Sequence, residues 1–180
     1  MKASPRIAFL AAVAGAITVA AVLAATAASG ATRSERTLHV LDRSVLTAIN
    51  RYRARHHLHP LRLSSALDRS AGQHSLEMGA DGYFAHNSAD GTAFWRRIQH
   101  YYSSRSSRYW SVGENLLWSS PRVDASHAMR LWIASPEHKA NLLAKRWRQI
   151  GISAVHVVAA PGIFGGRDVT IITTDFGVRR

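Results

Sequence analysis

The stretch from Ile150 to Gly177 limits the fold more than any other part of the chain. It reads I-G-I-S-A-V-H-V-V, then the glycine-rich turn A-P-G-I-F-G-G-R, then D-V-T-I-I-T-T-D-F-G. β-Branched residues dominate both runs, so they predict two strands paired as a hairpin. Before them, several segments have helical spacing, and Y-W-S-V-G-E-N-L-L-W-S-S is a short apolar segment interrupted by Gly113-Glu114-Asn115. Val45, Ile49, Tyr52 and His56 recur at intervals of four, three and four, and Leu67, Ala71, His74 and Met78 repeat that rhythm. Pro60 stops the first helix, and Ser64 or Ser65 caps the second. Thr92 can cap a short third helix presenting Phe94, Trp95 and Ile98, and Asp124 starts a fourth with Ala125, Met129 and Trp132 inward. Helices first and strands last predict an α+β fold with helices packed on a small sheet.

The core of such a fold has no covalent help, because the chain contains no cysteine. Disulfides, cysteine-ligated zinc and thiol catalysis are thereby excluded. The chain opens M-K-A-S-P-R and runs without a charge from Ile7 to Ala28, ending in small residues. Residues 1–31 read as a signal peptide or an N-terminal membrane anchor, residues 32–40 as a polar linker, and residues 41–178 as one folded domain. Lys2 and Arg6 flank the apolar run on its inner side. The domain is therefore expected to be secreted, or held at the outer face of the cytoplasmic membrane. Net charge is +12, mostly arginine. Such a surface attracts anionic lipid or envelope polymer, although a solvated basic surface with no partner gives the same number. No segment interleaves basic and aromatic residues as a nucleic-acid-binding motif would, so nucleic acid is not expected as a partner.

Few residues stand out as chemistry. In S-P-E-H-K-A-N-L-L, Ser135 caps a helix, Pro136 takes its first position, and His138 falls in the first turn. The helix dipole disfavours an imidazolium there, so His138 should be neutral and able to ligate a metal, accept a proton or tie its helix to a neighbour. Glu114 lies among Tyr109, Trp110, Val112, Leu116, Leu117 and Trp118, and a carboxylate in that setting needs a partner or a proton. It is either a loop anchor or a cleft carboxylate. His86 sits in a turn-rich loop, Y-F-A-H-N-S-A-D-G. His74 falls on the apolar stripe of its helix, which suits a hydrogen-bonded core histidine, while Glu77 lies off that stripe toward solvent. The tract H-H-L-H at 56–59 reads as a solvated helix end, and Asp175-Phe176-Gly177 as the end of a strand. The intervals from 86 to 114 and from 114 to 138 carry no local ligand signature.

Seven pieces taken in order resemble one family. They are L-T-A-I-N-R-Y-R-A-R-H-H-L-H-P-L-R-L, A-L-D-R-S-A-G-Q-H-S-L-E-M, Y-F-A-H-N-S-A-D-G, V-G-E-N-L, L-W-I-A-S-P-E-H-K-A-N-L-L, W-R-Q-I-G-I and T-T-D-F-G. Together they resemble the CAP superfamily (cysteine-rich secretory proteins, antigen 5, pathogenesis-related 1) in its short bacterial extracellular branch. The resemblance implies an α-β-α sandwich with a small central antiparallel sheet. It also implies a cleft lined by His86 from F-A-H, Glu114 from G-E-N and His138 from S-P-E-H, with Asn115 and His74 lining or backing it. The two histidines would hold a divalent ion such as zinc, weakly because open positions remain. A second cleft glutamate of larger members has only Glu137 as a candidate here, by adjacency.

The leading expectation is an envelope or extracellular binding module, monomeric, with an unidentified ligand in the cleft. One rival is a metal-assisted hydrolase of peptide, glycan or phosphodiester bonds, with Glu114, His86 and His138 as its catalytic groups. Another is a binder of anionic lipid or polymer through the basic surface. The binding module is preferred and enzyme activity left open; covalent catalysis is not expected, because no nucleophile stands beside a base.

Overall fold

The computed structural model describes residues 38–180; the expected leader lies outside the described residues, as does most of the expected linker. The described residues 38–55 are helical, here called α1, so residues 38–40 belong to the first helix instead of to a linker. Packing explains why they are helical, since Leu38 and Leu41 already lie against the cluster that holds Val45 and Ile49. Tyr52 is half-buried, but His56, on the stripe by spacing, is exposed past the helix end. Arg53 takes the interior place. It is fully buried and donates from Nε to His59 O at 3.0 Å and from Nη1 to Leu142 O at 2.7 Å and Ala144 O at 3.2 Å.

The chain continues through β1 (Arg62–Leu63), α2 (Ser65–Asp81), α3 (Phe94–Tyr101), β2 (Trp110–Ser119), α4 (Ala125–Ala134), α5 (Pro136–Leu143), β3 (Gln149–Ala160) and β4 (Arg167–Arg179), with a 3₁₀ turn at Gly162–Phe164. The four strands lie in the order β1-β3-β4-β2. β3 and β4 make the expected antiparallel hairpin, and β2 lies antiparallel on the far side of β4, with Glu114 opposite Asp175. The sheet is nevertheless mixed, not wholly antiparallel, because β1 runs parallel to β3. The chain path causes this: Arg62 and Ser64 donate their amides to Arg148 O and Ile150 O just before the backbone turns into α2.

Side-chain alternation along β2 separates two packing faces. Trp110 and Val112 pack near Leu67, Ile98 and Tyr102, and Leu116 and Trp118 pack near Met78 and Phe164, which places α2 and α3 on one face. Leu117 instead joins Val45, Ile49, Met129, Trp132 and Leu142, from α1, α4 and α5. The result is an α-β-α sandwich. With both faces covered, Gly113 to Leu117 are buried in succession, polar residues included. Gly151 lets α2 close on the sheet, since a Cβ there would meet the backbone carbon of Leu67 at 2.0 Å.

Leu67, Ala71, His74 and Met78 are all fully buried, as their spacing requires. The helix starts differ in detail. Thr92 does not cap α3, because the N-cap position falls one residue later on Ala93; the Thr92 amide donates to Asp90 Oδ1 at 2.8 Å. Of the three residues expected inward, Ile98 is buried, Phe94 is half-buried and Trp95 is exposed under the Arg96 guanidinium. Ser64 and Ser135 hold N-cap positions without a capping side-chain bond, whereas Asp124 accepts the His127 amide at 2.7 Å.

Candidate functional site

Glu114 lies on β2, the edge strand, with its side chain toward the α2–α3 face and only 1 % exposed. Both of its oxygens are engaged. Oε1 accepts from His86 Nδ1 at 2.8 Å, and Oε2 accepts from Arg97 Nη2 in a buried ion pair. A carboxylate only accepts, so His86 Nδ1 carries a proton, and in the neutral ring the lone pair is on Nε2. Half of the His86 side chain is exposed, and Phe94 packs beside its ring. Arg97 also donates to His86 O at 3.1 Å and Ser88 Oγ at 3.4 Å, fixing the loop that carries the histidine.

His138 arrives from the other helical layer, across the open edge of β2. Asn115 points to that side and donates to His138 O at 3.1 Å. Asn141 donates to Glu114 O at 2.9 Å and to Asn115 Oδ1 at 3.0 Å. These bonds satisfy edge-strand groups that would otherwise lack partners, and they anchor α5. Gly113 makes the approach possible, because a Cβ there would meet Trp147 Cζ2 at 2.8 Å and Asn141 Oδ1 at 2.9 Å. Arg53 holds the far end of α5 through its last carbonyls, a cation at the negative end of a helix. Burial pushes the His138 pKa down, the neighbouring His86 pushes it further, and Glu137 opposes. The direction matches the helix-start argument, but burial is the leading cause. Glu137 itself is exposed in the first turn.

His74 lies behind the loop, fully buried, with Nε2 donating to Ala85 O at 2.9 Å. Glu77 does not face solvent as its spacing suggested. It turns toward the same loop and accepts the Ala89 amide on Oε1 at 3.0 Å. The loop packs Tyr83 and Phe84 against the core, and its backbone groups at Ala85 and Ala89 find partners on α2.

Asp175 was read as an ordinary strand end and is more than that. It is fully buried opposite Glu114, and burial, then repulsion from Glu114, raises its pKa well above the carboxylate range. The two carboxyl groups thus oppose each other's charge, and Arg97 is the cation set against Glu114. Arg97 and Asp175 had escaped sequence reading. An acid inside the apolar run I-I-T-T-D-F was the available signal for Asp175; Arg97 gave none, since its partner is 17 residues away.

Chemically, the cleft offers one oriented imidazole with an exposed lone pair, a second imidazole held neutral, and a carboxylate already committed. Among the described residues no group of three or more His, Asp or Glu side chains is arranged to hold a metal. Two neutral imidazoles suit a divalent ion that takes the rest of its shell from solvent or ligand.

Residues 46–159 match the model of the cysteine-rich secretory protein family, CAP. Solved structures share the fold. An outer surface protein from Borrelia burgdorferi is 20% identical at a TM-score of 0.58, over 75% of this chain and 90% of that one. An extracellular protein containing an SCP domain from Bacillus anthracis is 21% identical at 0.64, over 83% of this chain and 43% of that one. A cysteine-rich secretory protein from Staphylococcus aureus is 16% identical at 0.55, over 78% and 38%. This chain thus spans less than half the length of the last two. No curated protein matches it in sequence. The family match over most of the folded region, together with the shared sandwich, shows that the chain belongs to the CAP family of cysteine-rich secretory proteins.

Proposed function

We propose that this protein is an exported binding domain of the bacterial envelope, with the cleft between His86 and His138 as its recognition site. The observation that carries this is the engagement of both Glu114 oxygens. A carboxylate buried against Arg97 and hydrogen-bonded to His86 is an orienting group, not a free base. The outer-surface and extracellular relatives support a place outside the cell. His86, through Nε2, and His138 would hold a divalent ion such as zinc, which when bound supplies a Lewis-acidic centre for an oxygen or nitrogen of the ligand. Glu114 fixes the tautomer and ring angle of His86, a role that sustains metal affinity.

Zinc titration by calorimetry on the untagged full-length chain in mild detergent tests this reading. One weakly bound equivalent should be lost in His86→Ala and in His138→Ala alike. Binding unchanged in both variants overturns it.

The 2.8 Å bond from His86 to Glu114 also favours a second reading, hydrolysis with His86 as general base. Glu114→Gln separates the two. A hydrolase loses turnover of peptide, glycan or phosphodiester substrates in that variant, whereas a binding domain shows no turnover before or after.

A further inference from the structure

At one end of the sheet every strand brings an arginine. Arg62 opens β1, Arg148 precedes β3, Arg179 ends β4 with Arg180 after it, and Arg108 lies two residues before β2. Register makes this a single place. Arg62 pairs with Gln149, Gln149 with Gly177, and Trp110 with Arg179, while Arg108 donates its amide to Arg180 O. All five arginines are exposed. Four strands about 4.8 Å apart spread them in a band roughly 15 Å long. Arg179 lies over the Tyr102 ring at 4.3 Å, toward α2 and α3, and Arg62 shares that side with Gln149, whose Oε1 accepts from Tyr102 Oη. Arg148, one residue on, points to the other side. A chain laid along the sheet end is thus gripped from both sides.

The band has no acidic balance. No Asp or Glu occurs in residues 43–67, 91–113, 138–167 or 176–180, the segments that supply this end of the fold. Among the described residues, none of the five arginines pairs with a carboxylate. Behind them Arg53 is fully buried, again without a carboxylate, and its Nη2 has no partner among the described residues. Burial lowers its pKa, and the charge of Arg148 lowers it further, so the two cations feel each other. A guanidinium nevertheless stays charged at neutral pH, and Arg53 adds its field through the low-dielectric interior. Elsewhere the balance differs: Arg43, Arg122 and Arg167 stand beside Asp42, Asp124 and Asp168 in the chain.

We propose that this arginine band is a docking surface for a linear polymer carrying repeated phosphate groups, separate from the His86–His138 cleft. Along β2, Glu114 lies four residues in from Trp110, about 13 Å away. Arginine suits phosphate because its planar fork donates two parallel hydrogen bonds to a pair of oxygens. The stack on Tyr102 holds one guanidinium in place before binding, which lowers the ordering cost. A band about 15 Å long with arginines on both sides fits a chain of charges, not a plane of lipid head groups.

The test titrates linear inorganic polyphosphate into the untagged full-length chain in mild non-ionic detergent, by calorimetry. A chelator keeps metal out of the cleft, so the outcome does not depend on the zinc reading. Five phosphate contacts should weaken binding about a hundredfold between 50 and 200 mM salt, on the scale of single-stranded polyanions. Arg62→Gln, Arg148→Gln and Arg179→Gln combined should cut that salt dependence to less than about tenfold. Arg43→Gln, Arg122→Gln and Arg167→Gln combined remove the same net charge and should leave it near wild type. Lysine at positions 62, 148 and 179 keeps the charge and should restore the dependence, with melting temperature as the check on folding. Equal losses in the two glutamine variants would show that only net charge matters and overturn the proposal. No binding by wild type, or no restoration by lysine, does the same. Polyglutamate, oligothymidylate or micelles carrying phosphatidylglycerol that bind more tightly than polyphosphate at equal anionic charge overturn the choice of partner.

Discussion

Replacing Arg97 by methionine exposes the central electrostatic arrangement of this site. Arg97 is 4 % exposed and Glu114 equally so, and the guanidinium is the positive group against the Glu114 carboxylate. Removing it leaves a buried carboxylate with only His86 Nδ1 as donor. Breaking a buried pair from one side costs about 3–5 kcal/mol. For a domain of this size that lowers the melting temperature by roughly 10–20 °C. The companion variant Arg97→Met with Glu114→Leu removes both charges. Apolar replacement of a whole buried pair is often neutral, so most of the loss should return, with a coupling of about 2–4 kcal/mol. Urea denaturation at pH 7, followed by the fluorescence of the buried Trp132 and Trp147, measures all three proteins. The double variant should fold yet lose zinc affinity, since His86 has lost the carboxylate that orients it. A single variant costing less than about 1 kcal/mol, or a double variant costing the sum of the singles, would refute this account of the pair.

Two other substitutions follow from the geometry. Burial raises the Asp42 pKa to about 6, although the Ala154 amide and His39 oppose it. The folded state therefore holds that proton more tightly than the unfolded chain, and wild-type stability falls as pH rises from about 4 to about 6. Asp42→Asn keeps the oxygen facing Ala154 and should be more stable than wild type above pH 6 and indistinguishable below pH 4, by thermal melts across that range. Gly113→Ala forces a methyl against Trp147 and Asn141, and should cost about 1–3 kcal/mol while weakening zinc binding through displaced α5. A stable Gly113→Ala protein with wild-type zinc affinity would show that α5 does not depend on that contact.

Much of the secondary structure was legible because its causes are local. The stripe Leu67, Ala71, His74, Met78 can be buried only as a helix, and the β-branched runs around Gly165-Gly166 can pair only as a hairpin. His138 in the first turn of α5 follows from Ser135 and Pro136 alone. β2 was harder. G-E-N interrupts its apolar run, and only a sheet covered on both faces explains a strand with Glu114 and Asn115 inside. Glu77 was misread for a related reason: periodicity places it off the stripe, but a neighbouring loop, not solvent, covers that side of α2.

By itself the sequence determined the order of helices and strands, a core without covalent links, and the residue types available to a cleft. Those follow from covalent spacing and side-chain chemistry, which do not depend on distant neighbours. The tertiary structure alone decided which charges meet. It set Arg97 and His86 on the two oxygens of Glu114, buried Asp175 opposite that carboxylate with its pKa raised, and brought His74 and Glu77 near each other. Electrostatic pairing acts over a few ångströms in a low-dielectric interior, so it is settled only when layers far apart in the chain close on one sheet.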